Sequence, residues 1–462
     1  MTKKIAIIGA GPGGYVAAIR AAQLGADVFL IENREVGGTC LNRGCIPTKT
    51  YFRNAEIMSS LKRANEFGIE VQGYKLDGKA LQDRKKKVVN TLVSGIEKLI
   101  SSYKNIEFVA GTATLKDKNT ISVELLAGGN REVKADDIII ATGSFPQMTE
   151  TKGVDLEGVI TSDELLDLDH IPETLIVVGG GVIGLEFASI YQELGSHVIL
   201  LASRILKDAD KEISRRLTPM LKKQGIETYV DIRAKEITKE GDKLRVVAKY
   251  KEKDEEIEVV GDYVLIASGR GPLVNGLNLE GVGVEVGRKG IVVNDDFETT
   301  IEGIYAIGDV TGKFQLAHVA SKEGCVAVEN ALGKKSNMNY NVIPQCIYTS
   351  PQIASVGMTE AAAVEKGYNI KVGKFPMYAN SKASIEGQKE GFAKIICDSK
   401  YGEVLGIHLF GENATEIILS GVISLNMEAS IEDIANAISP HPSVSETITE
   451  SAQAAIFKAI HI

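Results

Sequence analysis

The sequence predicts an α/β chain in which two parallel-sheet units precede a C-terminal α+β domain. Buried-strand runs at residues 5–8 and 175–178 are each followed by a glycine-rich turn, a helical stretch and a second apolar run, at 28–31 and 198–201. Residues 339–462 instead mix β-like runs with helical ones and lack a glycine-rich turn. A chain of 462 residues is long enough for about three domains.

Composition excludes several classes of protein. Hydrophobic residues make up 44% of the chain and charged residues 24%, so it can bury large cores and is not disordered. The 52 Lys and Arg against 61 Asp and Glu give a net charge of −9, which argues against a nucleic-acid partner. No apolar run reaches the roughly 18 residues of a membrane span, and the first is too short for a signal peptide. We therefore expect a mature cytoplasmic protein with neither a membrane nor a nucleic-acid partner.

The two glycine-rich turns have the G-x-G-x-x-G spacing of dinucleotide-binding loops. The glycines of the pattern are Gly9, Gly11 and Gly14 in the first turn and Gly179, Gly181 and Gly184 in the second. The first glycine permits a tight turn, the second lets the backbone approach a pyrophosphate, and the third lets helix pack on strand. The pyrophosphate then lies at a helix N-terminus, where free N–H groups favour an anion. An ordinary α/β turn is the alternative, but the strand–turn–helix context favours two Rossmann-like nucleotide sites.

The residues that end the second strand of each unit differ. The first unit has Glu32 there, which is placed to bond a ribose hydroxyl. The second ends in Ala202-Ser203-Arg204, with no acid. Because an acid favours NAD and an arginine accommodates the 2′-phosphate of NADP, the sequence leaves the choice of second cofactor open.

Two of the five cysteines, Cys40 and Cys45, lie just after the first nucleotide unit. Pro47 suits the first position of a helix, so Cys45 would lie near a helix N-terminus, where the dipole favours a thiolate. A low-pKa thiolate beside a second cysteine is typical of a redox pair, and a bond across so short a loop would be catalytic and not structural. Two buried thiols without chemistry are the alternative.

Residues 83–101 are predicted to form an amphipathic helix with a stripe of Val88, Leu92, Ile96 and Leu99. The lysine run at 85–87 within it is predicted to be a solvated face.

The motifs together resemble the pyridine nucleotide–disulfide oxidoreductases, over essentially the whole chain. Residues 37–49 resemble that family's redox-disulfide motif. The other segments that carry the resemblance are 141–143 and 266–270 (strand-end crossovers), 303–310 with 316–318 (the second FAD motif) and 348–351 (the start of the dimerisation domain).

The resemblance implies four segments. Residues 1–144 and 270–338 would bind FAD, residues 145–269 would bind NAD or NADP, and residues 339–462 would form the dimerisation domain. Glu32 would bind the FAD ribose and Asp309 the ribityl chain, Ala317 would lie near the flavin pyrimidine, and Lys49 would lie beside flavin N5 and pair with Glu186. The further residues expected to contact the cofactors are Gly111, Thr142, Gly143 and Gly269, besides the six glycines of the two turns.

The resemblance also implies the chemistry. Cys45 would be the flavin-proximal thiol and Cys40 the thiol that exchanges with substrate, the two forming a disulfide that oxidises protein-bound dihydrolipoyl groups. A base is needed, and His441 is expected to serve with Glu446 on its other nitrogen. In this family the dyad comes from the partner subunit, which implies a homodimer. A lipoyl-bearing protein of a multienzyme complex would be the other partner.

Two residues depart from the family pattern. Ser439 stands where the lipoyl-oxidising members usually have a further histidine, and Arg204 lies where an acid is usual. The arginine keeps open a glutathione-reductase-like NADPH-dependent enzyme. A third possibility, a subunit whose main role is docking on a complex, is disfavoured by the intact set of Cys40, Cys45, His441 and Glu446.

Overall fold

The computed structural model describes residues 2–462. The α-helices are α1 (Pro12–Gln23), α2 (Gly38–Arg43), α3 (Cys45–Lys62), α4 (Gly78–Ser101), α5 (Ser162–Leu165), α6 (Val182–Leu194), α7 (Lys211–Lys223), α8 (Ala317–Ala331), α9 (Glu360–Glu365), α10 (Ser381–Ile385), α11 (Ala414–Asn426), α12 (Ile431–Ala435) and α13 (Glu446–Ile456). None of the helices in residues 2–462 is long and apolar enough to cross a membrane.

The strands lie between these helices, singly or in consecutive runs. They are β1 (Lys4–Ile8), β2 (Asp27–Glu32), β3 (Ile106–Leu115), β4 (Thr120–Leu125), β5 (Asn130–Lys134), β6 (Asp137–Ile140), β7 (Ser144–Pro146), β8 (Val159–Ile160), β9 (Thr174–Val178), β10 (His197–Ala202), β11 (Glu227–Val230), β12 (Ile232–Glu240), β13 (Lys243–Tyr250), β14 (Glu256–Gly261), β15 (Tyr263–Ile266), β16 (Arg270–Pro272), β17 (Ile304–Ala306), β18 (Gln345–Ile347), β19 (Gln352–Gly357), β20 (Ile370–Pro376), β21 (Phe392–Asp398) and β22 (Val404–Gly411).

The chain forms two compact units, each built from two segments. The first unit contains residues 1–172 and 263–338, and the second contains residues 173–262 and 339–462. These units cut across the four predicted segments, because residues 145–172 group with the first segment and residues 173–262 group with the last. The division of the chain by bound cofactor therefore stays a prediction.

The first unit is organised by a seven-stranded sheet in the order β17-β6-β1-β2-β3-β4-β5. Its strands from β17 to β3 are parallel, and β4 and β5 extend it as an antiparallel meander. β1 is an almost uninterrupted apolar run whose last four residues are buried, as expected for a parallel strand covered on both faces. The same unit pairs β16 with β7 antiparallel and β15 with β8 in parallel.

The second unit contains two kinds of sheet. β11, β10 and β9 are parallel, with α6 crossing from β9 to β10, which is the second predicted βαβ start. β12, β13 and β14 form an antiparallel sheet. The C-terminal segment folds into an antiparallel sheet in the order β18-β19-β22-β21-β20, whose buried residues form one core with α11, α12 and α13.

The helix predicted at 83–101 exists, but its buried face is not the predicted one. α4 starts at Gly78 and buries Leu81, Lys85 and Val89, whereas Leu92 and Leu99 are exposed. The prediction of a solvated Lys85 was wrong: its side chain is buried and its Nζ lies 2.9 Å from Oδ1 of Asp167. The aliphatic stem of a lysine packs well in a core once its ammonium reaches a carboxylate at the surface.

Candidate functional site

The first glycine turn connects β1 to α1 and has room for a ligand at its middle glycine. Gly9 has a φ of +105°, and a Cβ there would lie 2.4 Å from the carbonyl oxygen of Ala141. A Cβ at Gly14 would lie 1.8 Å from the oxygen of Gly9, so both positions require glycine for packing. At Gly11 the nearest atom would be the Cα of Gly38 at 3.8 Å, which leaves the backbone open to approach.

Glu32, at the end of β2, closes this turn. Its Oε2 accepts the backbone N–H of Ala10 at 2.6 Å, and its Oε1 accepts that of Arg34 at 2.8 Å. The carboxylate is therefore held in place at the glycine turn. Each carboxylate oxygen has a second lone pair with which to accept a ribose hydroxyl.

The segment that carries the two cysteines packs directly on the first glycine turn. The N–H of Gly37 donates to the carbonyl of Ala10 at 2.8 Å, and a Cβ at Gly38 would lie 2.7 Å from the Cα of Gly11. Cys40 lies in α2, and Cys45 is the first residue of α3, so the helix starts two residues before the predicted first position at Pro47. Gly44 permits the tight link between the two helices, because a Cβ there would lie 2.8 Å from the oxygen of Thr39.

The two thiols interact with each other. Both are half-buried thiols in the structure. The hydrogen bond that Cys40 shares with Cys45, reinforced by burial, raises the pKa of Cys40 well above its usual range, and the ammonium of Lys49 opposes this. Burial, followed by the charge of Cys40, likewise raises the pKa of Tyr15 on α1. The thiol form of Cys40 is therefore favoured next to the Cys45 sulfur.

Asp309 ends a partly buried chain of polar groups at the sheet edge of the first unit. Its Oδ2 accepts the hydroxyl of Ser144 at 2.5 Å, and that hydroxyl oxygen accepts Nε of Arg270 at 2.8 Å. Burial raises the pKa of Asp309, while Ser144 and the Arg270 charge act in the opposite direction. A half-buried carboxylate with one neutral donor retains acceptor capacity for hydroxyls of a bound molecule. Arg270 ends the 266–270 segment that carries the family resemblance, but no sequence pattern indicates this contact for Arg270 or for Ser144.

The remaining predicted residues of the first unit fall into two groups. Gly143, after β6, and Gly269, before β16, both have positive φ and nothing within 4 Å of an added Cβ, so both leave space beside the backbone. Thr142 donates its hydroxyl to the carbonyl of Leu273 at 2.7 Å, and Ala317 is the first residue of α8. Gly111 serves strand packing, since a Cβ there would lie 2.5 Å from the oxygen of Glu124 on β4.

The second glycine turn repeats the first in the other unit. A Cβ at Gly184 would lie 2.0 Å from the oxygen of Gly179, so this glycine is required for helix packing. Gly181 has nothing within 4 Å of an added Cβ, which leaves its backbone open. Gly179 has a φ of 136°. The open middle glycine and the crowded third one are what a pyrophosphate-binding turn requires.

The loop after β10 lies over this second turn. Ala202 is buried, and the carbonyl of Ser203 accepts Nζ of Lys251 at 2.9 Å. Arg204 is exposed and its carbonyl oxygen lies against Gly180. The strand therefore ends without a carboxylate and with two cations nearby.

Glu186 is a buried carboxylate in α6. Its Oε1 accepts the backbone N–H of Tyr348 at 3.0 Å, which joins α6 to the loop after β18 within the second unit. Burial with a specific backbone donor means that Glu186 is not an ordinary helix-surface carboxylate.

His441 and Glu446 form a pair at the start of α13. Nδ1 of His441 lies 2.9 Å from Oε1 of Glu446, and Oε2 accepts the N–H of Ser443 at 2.8 Å. Burial alone would raise the pKa of Glu446, but the hydrogen bonds from Ser443 and His441 hold it below its ordinary value. With Nδ1 on the carboxylate, Nε2 of the exposed imidazole is the atom that can exchange a proton with a substrate.

Four other histidines were predicted to be structural or surface residues. His408 is buried and its Nε2 lies 2.9 Å from the oxygen of Met358, while His170 and His197 are exposed beside Asp169 and Glu227. Nδ1 of His461 lies 2.6 Å from Oε1 of Glu450. Ser439, at the position where the family usually has a histidine, shares a hydrogen bond of 2.7 Å with the hydroxyl of Thr449 on α13.

Comparison with known proteins decides the family. Residues 3–324 match the family described as pyridine nucleotide-disulphide oxidoreductase, and residues 343–452 match its dimerisation domain. The chain belongs to this family.

Relatives within the pyridine nucleotide-disulphide oxidoreductases match from end to end. A dihydrolipoyl dehydrogenase of Bacillus subtilis is 40% identical, covering 99% of this chain and 98% of its own. A dihydrolipoyl dehydrogenase of Thermus scotoductus is 41% identical, covering 100% and 99%. The crystal structure of LpdA from Mycobacterium tuberculosis superposes with a TM-score of 0.91 at 29% identity, covering 98% and 99%. The predicted fold class and the resemblance to this family are confirmed.

The family is FAD- and NAD(P)-dependent, and the residues present fit both groups. Each G-x-G-x-x-G turn has an open backbone at its middle glycine and opens onto a helix N-terminus. The first turn also has Glu32 beside it and the cysteine segment packed on it through Gly37 and Gly38, and the half-buried carboxylate of Asp309 belongs to the same unit. The chain is therefore a flavin-dependent disulfide oxidoreductase.

Proposed function

We propose that this enzyme oxidises dihydrolipoyl groups carried by another protein and reduces NAD⁺ or NADP⁺. The observation that carries the proposal is the pair of Cys40 and Cys45, which share a hydrogen bond on the first nucleotide turn. A pair of adjacent thiols is the group that exchanges with a dithiol substrate. The names of the relatives, dihydrolipoyl dehydrogenases at about 40% identity over their full length, support the choice of substrate.

The proposed exchange begins with the Cys40–Cys45 disulfide. Nε2 of His441 takes the proton of one dihydrolipoyl thiol, and the resulting thiolate attacks Sγ of Cys40 while Cys45 leaves as a thiolate. The second dihydrolipoyl sulfur attacks the lipoyl sulfur of this mixed disulfide, and its proton passes to Cys40, which leaves as a thiol. Two electrons thereby pass from the dithiol to the cysteine pair. Glu446 orients the imidazole and stabilises its protonated form.

The chain's own residues would hold both cofactors. When bound, FAD accepts the electron pair from the cysteines and passes it to the nicotinamide. Glu32 would hold the FAD ribose, Asp309 the ribityl hydroxyls, and the backbone at Ala317 the pyrimidine end. We propose that Lys49 lies at the flavin and pairs with Glu186. Residues 1–144 and 270–338 would form the FAD domain and residues 145–269 the nicotinamide domain.

The dimerisation domain supports a homodimer. We propose that each active site takes its His441–Glu446 dyad from the partner subunit. An apolar stripe formed by Leu419 and Ile423 on α11 and by Met427 just after it supports a dimer interface, because the three side chains are about one turn apart and all exposed.

The nucleotide preference is a separate part of the proposal. Ala202 provides no carboxylate for a 2′-hydroxyl, and Arg204 with Lys251 provides positive charge. We therefore propose that the second site accepts NADP⁺ as well as NAD⁺.

Dihydrolipoamide oxidation, followed at the nicotinamide absorbance with each nucleotide in parallel, tests the proposal. We expect turnover with NAD⁺ and measurable turnover with NADP⁺, and we expect Arg204→Ala to lower only the latter, by about tenfold. The matched control is Lys207→Ala, which removes an exposed cation of the same loop.

A glutathione-reductase-like activity is the second candidate, favoured by Arg204. Glutathione disulfide with NADPH, assayed beside lipoamide, separates the two candidates. Reduction of glutathione disulfide without dihydrolipoamide turnover would replace the first proposal. No turnover of either substrate by protein loaded with FAD would instead favour a docking subunit.

A further inference from the structure

The dyad lies on a loop that needs an external anchor. His441 is 68% exposed at its side chain, and residues 442–445 connect it to the first turn of α13. The position of Glu446 relative to His441 depends on the path of this loop, because Ser443 donates its N–H to the same carboxylate. A loop fixed only by exposed hydrogen bonds would sample several conformations.

The anchor is a buried amide on a neighbouring segment of the second unit. Asn380 is 4% exposed and precedes α10. Its Nδ2 donates to the carbonyl of Ser443 at 2.9 Å, and its Oδ1 accepts the N–H of Ala383 at 2.9 Å. One side chain therefore caps a helix and holds the loop.

Apolar packing supports the same contact. Val444, the next residue of the loop, is buried against Met377 and Ala383, which flank Asn380 in sequence. The hydrogen bond at Ser443 and the apolar packing of Val444 thus hold the loop against the 377–383 segment. Ser443 is held on both sides, with its carbonyl on Asn380 and its N–H on Glu446.

We propose that Asn380 is a positioning residue whose amide fixes the 441–445 loop so that Glu446 aligns His441 for proton transfer. This inference rests on the proposed function of the dyad. Proton transfer depends on hydrogen-bond geometry, and a displacement of about 1 Å can cost up to about 100-fold in rate. The general reason for an asparagine is that its amide has an acceptor atom for the helix and a separate donor atom for the loop.

Asn380→Ser separates the two tasks of the side chain. Serine caps helices about as well as asparagine but has no second group that reaches Ser443. Asn380→Asp is a second variant of nearly the same shape, which keeps the capping oxygen and replaces the donor with an acceptor. Thr359→Ala is the matched control, because Thr359 caps α9 in the same unit by accepting the N–H of Ala362.

The measurement compares two reactions of the FAD-loaded enzyme at constant pH. Dihydrolipoamide oxidation needs the dyad, whereas oxidation of NADH by ferricyanide draws electrons without proton transfer at the thiols. We expect both Asn380 variants to lose about tenfold in kcat for dihydrolipoamide, with ferricyanide turnover unchanged. Thr359→Ala should leave both reactions unchanged, and urea unfolding of all variants reports any loss of stability.

A double-mutant cycle tests the route of the effect. If Asn380 acts through Glu446, Asn380→Ser should have no further effect in a Glu446→Gln background. Equal losses in both reactions, or an additive loss in the double variant, would overturn this inference alone. If His441→Ala turns over dihydrolipoamide as fast as the wild type, the proposed function of the dyad would be overturned instead.

Discussion

Nδ1 of His441 lies 2.9 Å from Oε1 of Glu446, while the other oxygen of that carboxylate accepts a backbone N–H from the same loop. Both hydrogen bonds favour the ionised carboxylate, and together they hold the pKa of Glu446 below 4.5 although its burial acts against them. The pair is thus set up to keep a negative charge beside an imidazole, which stabilises that imidazole when it accepts a proton.

Glu446→Gln should lower kcat for dihydrolipoamide by about 10² and leave NADH–ferricyanide turnover unchanged. The amide keeps the shape of the side chain but removes the charge that stabilises protonated His441. Steady-state kinetics of both reactions provide the measurement. Equal kcat values for variant and wild type would remove Glu446 from the mechanism.

The same carboxylate makes a pH-dependent contribution to folding. The pKa of Glu446 is lower in the folded state than its ordinary value of 4.5. The stabilising effect of the carboxylate is therefore complete above pH 4.5, and it is lost as the pH falls through the pKa of the folded state. Urea midpoints measured from pH 7 to pH 3 should therefore fall less steeply in Glu446→Gln than in the wild type. Parallel curves would contradict the depressed pKa.

Cys45→Ser should abolish dihydrolipoamide oxidation, because a hydroxyl cannot form the disulfide that receives the electrons. Cys325→Ser is the matched control, since this half-buried thiol on α8 lies outside the redox segment and should keep full activity. Assays with NAD⁺ measure both variants. Unchanged turnover in Cys45→Ser would remove the disulfide mechanism.

The second glycine turn allows a paired test of binding against folding. Gly184→Ala would place a Cβ 2.0 Å from the oxygen of Gly179, so it should lower the free energy of unfolding by about 1–3 kcal/mol. Gly181→Ala meets no atom within 4 Å and should leave stability unchanged while raising KM for the nicotinamide nucleotide. Thermal unfolding and nucleotide titrations check the two variants. A Gly181→Ala enzyme with normal KM would place the pyrophosphate elsewhere.

Lys394 and Asp210 form a buried ion pair at 2.7 Å, and Glu360 also contacts the ammonium at 2.6 Å. Burial alone would lower the pKa of Lys394 and raise that of Asp210, but the hydrogen bonds between them reverse both directions. Lys394→Met leaves Asp210 buried without its cation and should lower the free energy of unfolding by about 3–5 kcal/mol. Lys400→Met, at an exposed turn, should change it by less than about 0.5 kcal/mol.

The direction of the pH dependence follows from the two shifts. The contribution of Asp210 to the free energy of unfolding is complete above its ordinary pKa of 3.8, and it is lost as the pH falls through the lower pKa of the folded state. The contribution of Lys394 is complete below its ordinary pKa of 10.5, and it is lost as the pH rises through the higher pKa of the folded state. Urea unfolding across this range measures both limits, and equal stability of Lys394→Met and Lys400→Met would contradict the role of the pair.

Much of the fold and part of the candidate site could be read from local spacing. The strand–glycine–helix pattern at Gly9 and Gly179 specifies a backbone path that few other residues permit. Pro47 indicates the helix that begins two residues earlier, at Cys45. The burial of Lys85 was mispredicted, because its partner Asp167 is 82 residues away in sequence. Hydrophobic periodicity cannot show a polar residue whose burial depends on such a distant partner.

The sequence by itself determined that two nucleotide turns, a cysteine pair and a His–Pro segment with a nearby glutamate are present, since each is encoded within a few consecutive residues. The tertiary structure decided which oxygen of Glu446 meets His441, that Asn380 holds Ser443 across 63 residues, and that Lys394 reaches Asp210 across 184. The physical reason is that hydrogen bonds and ion pairs between distant residues depend on how the elements pack, which short-range propensity does not encode.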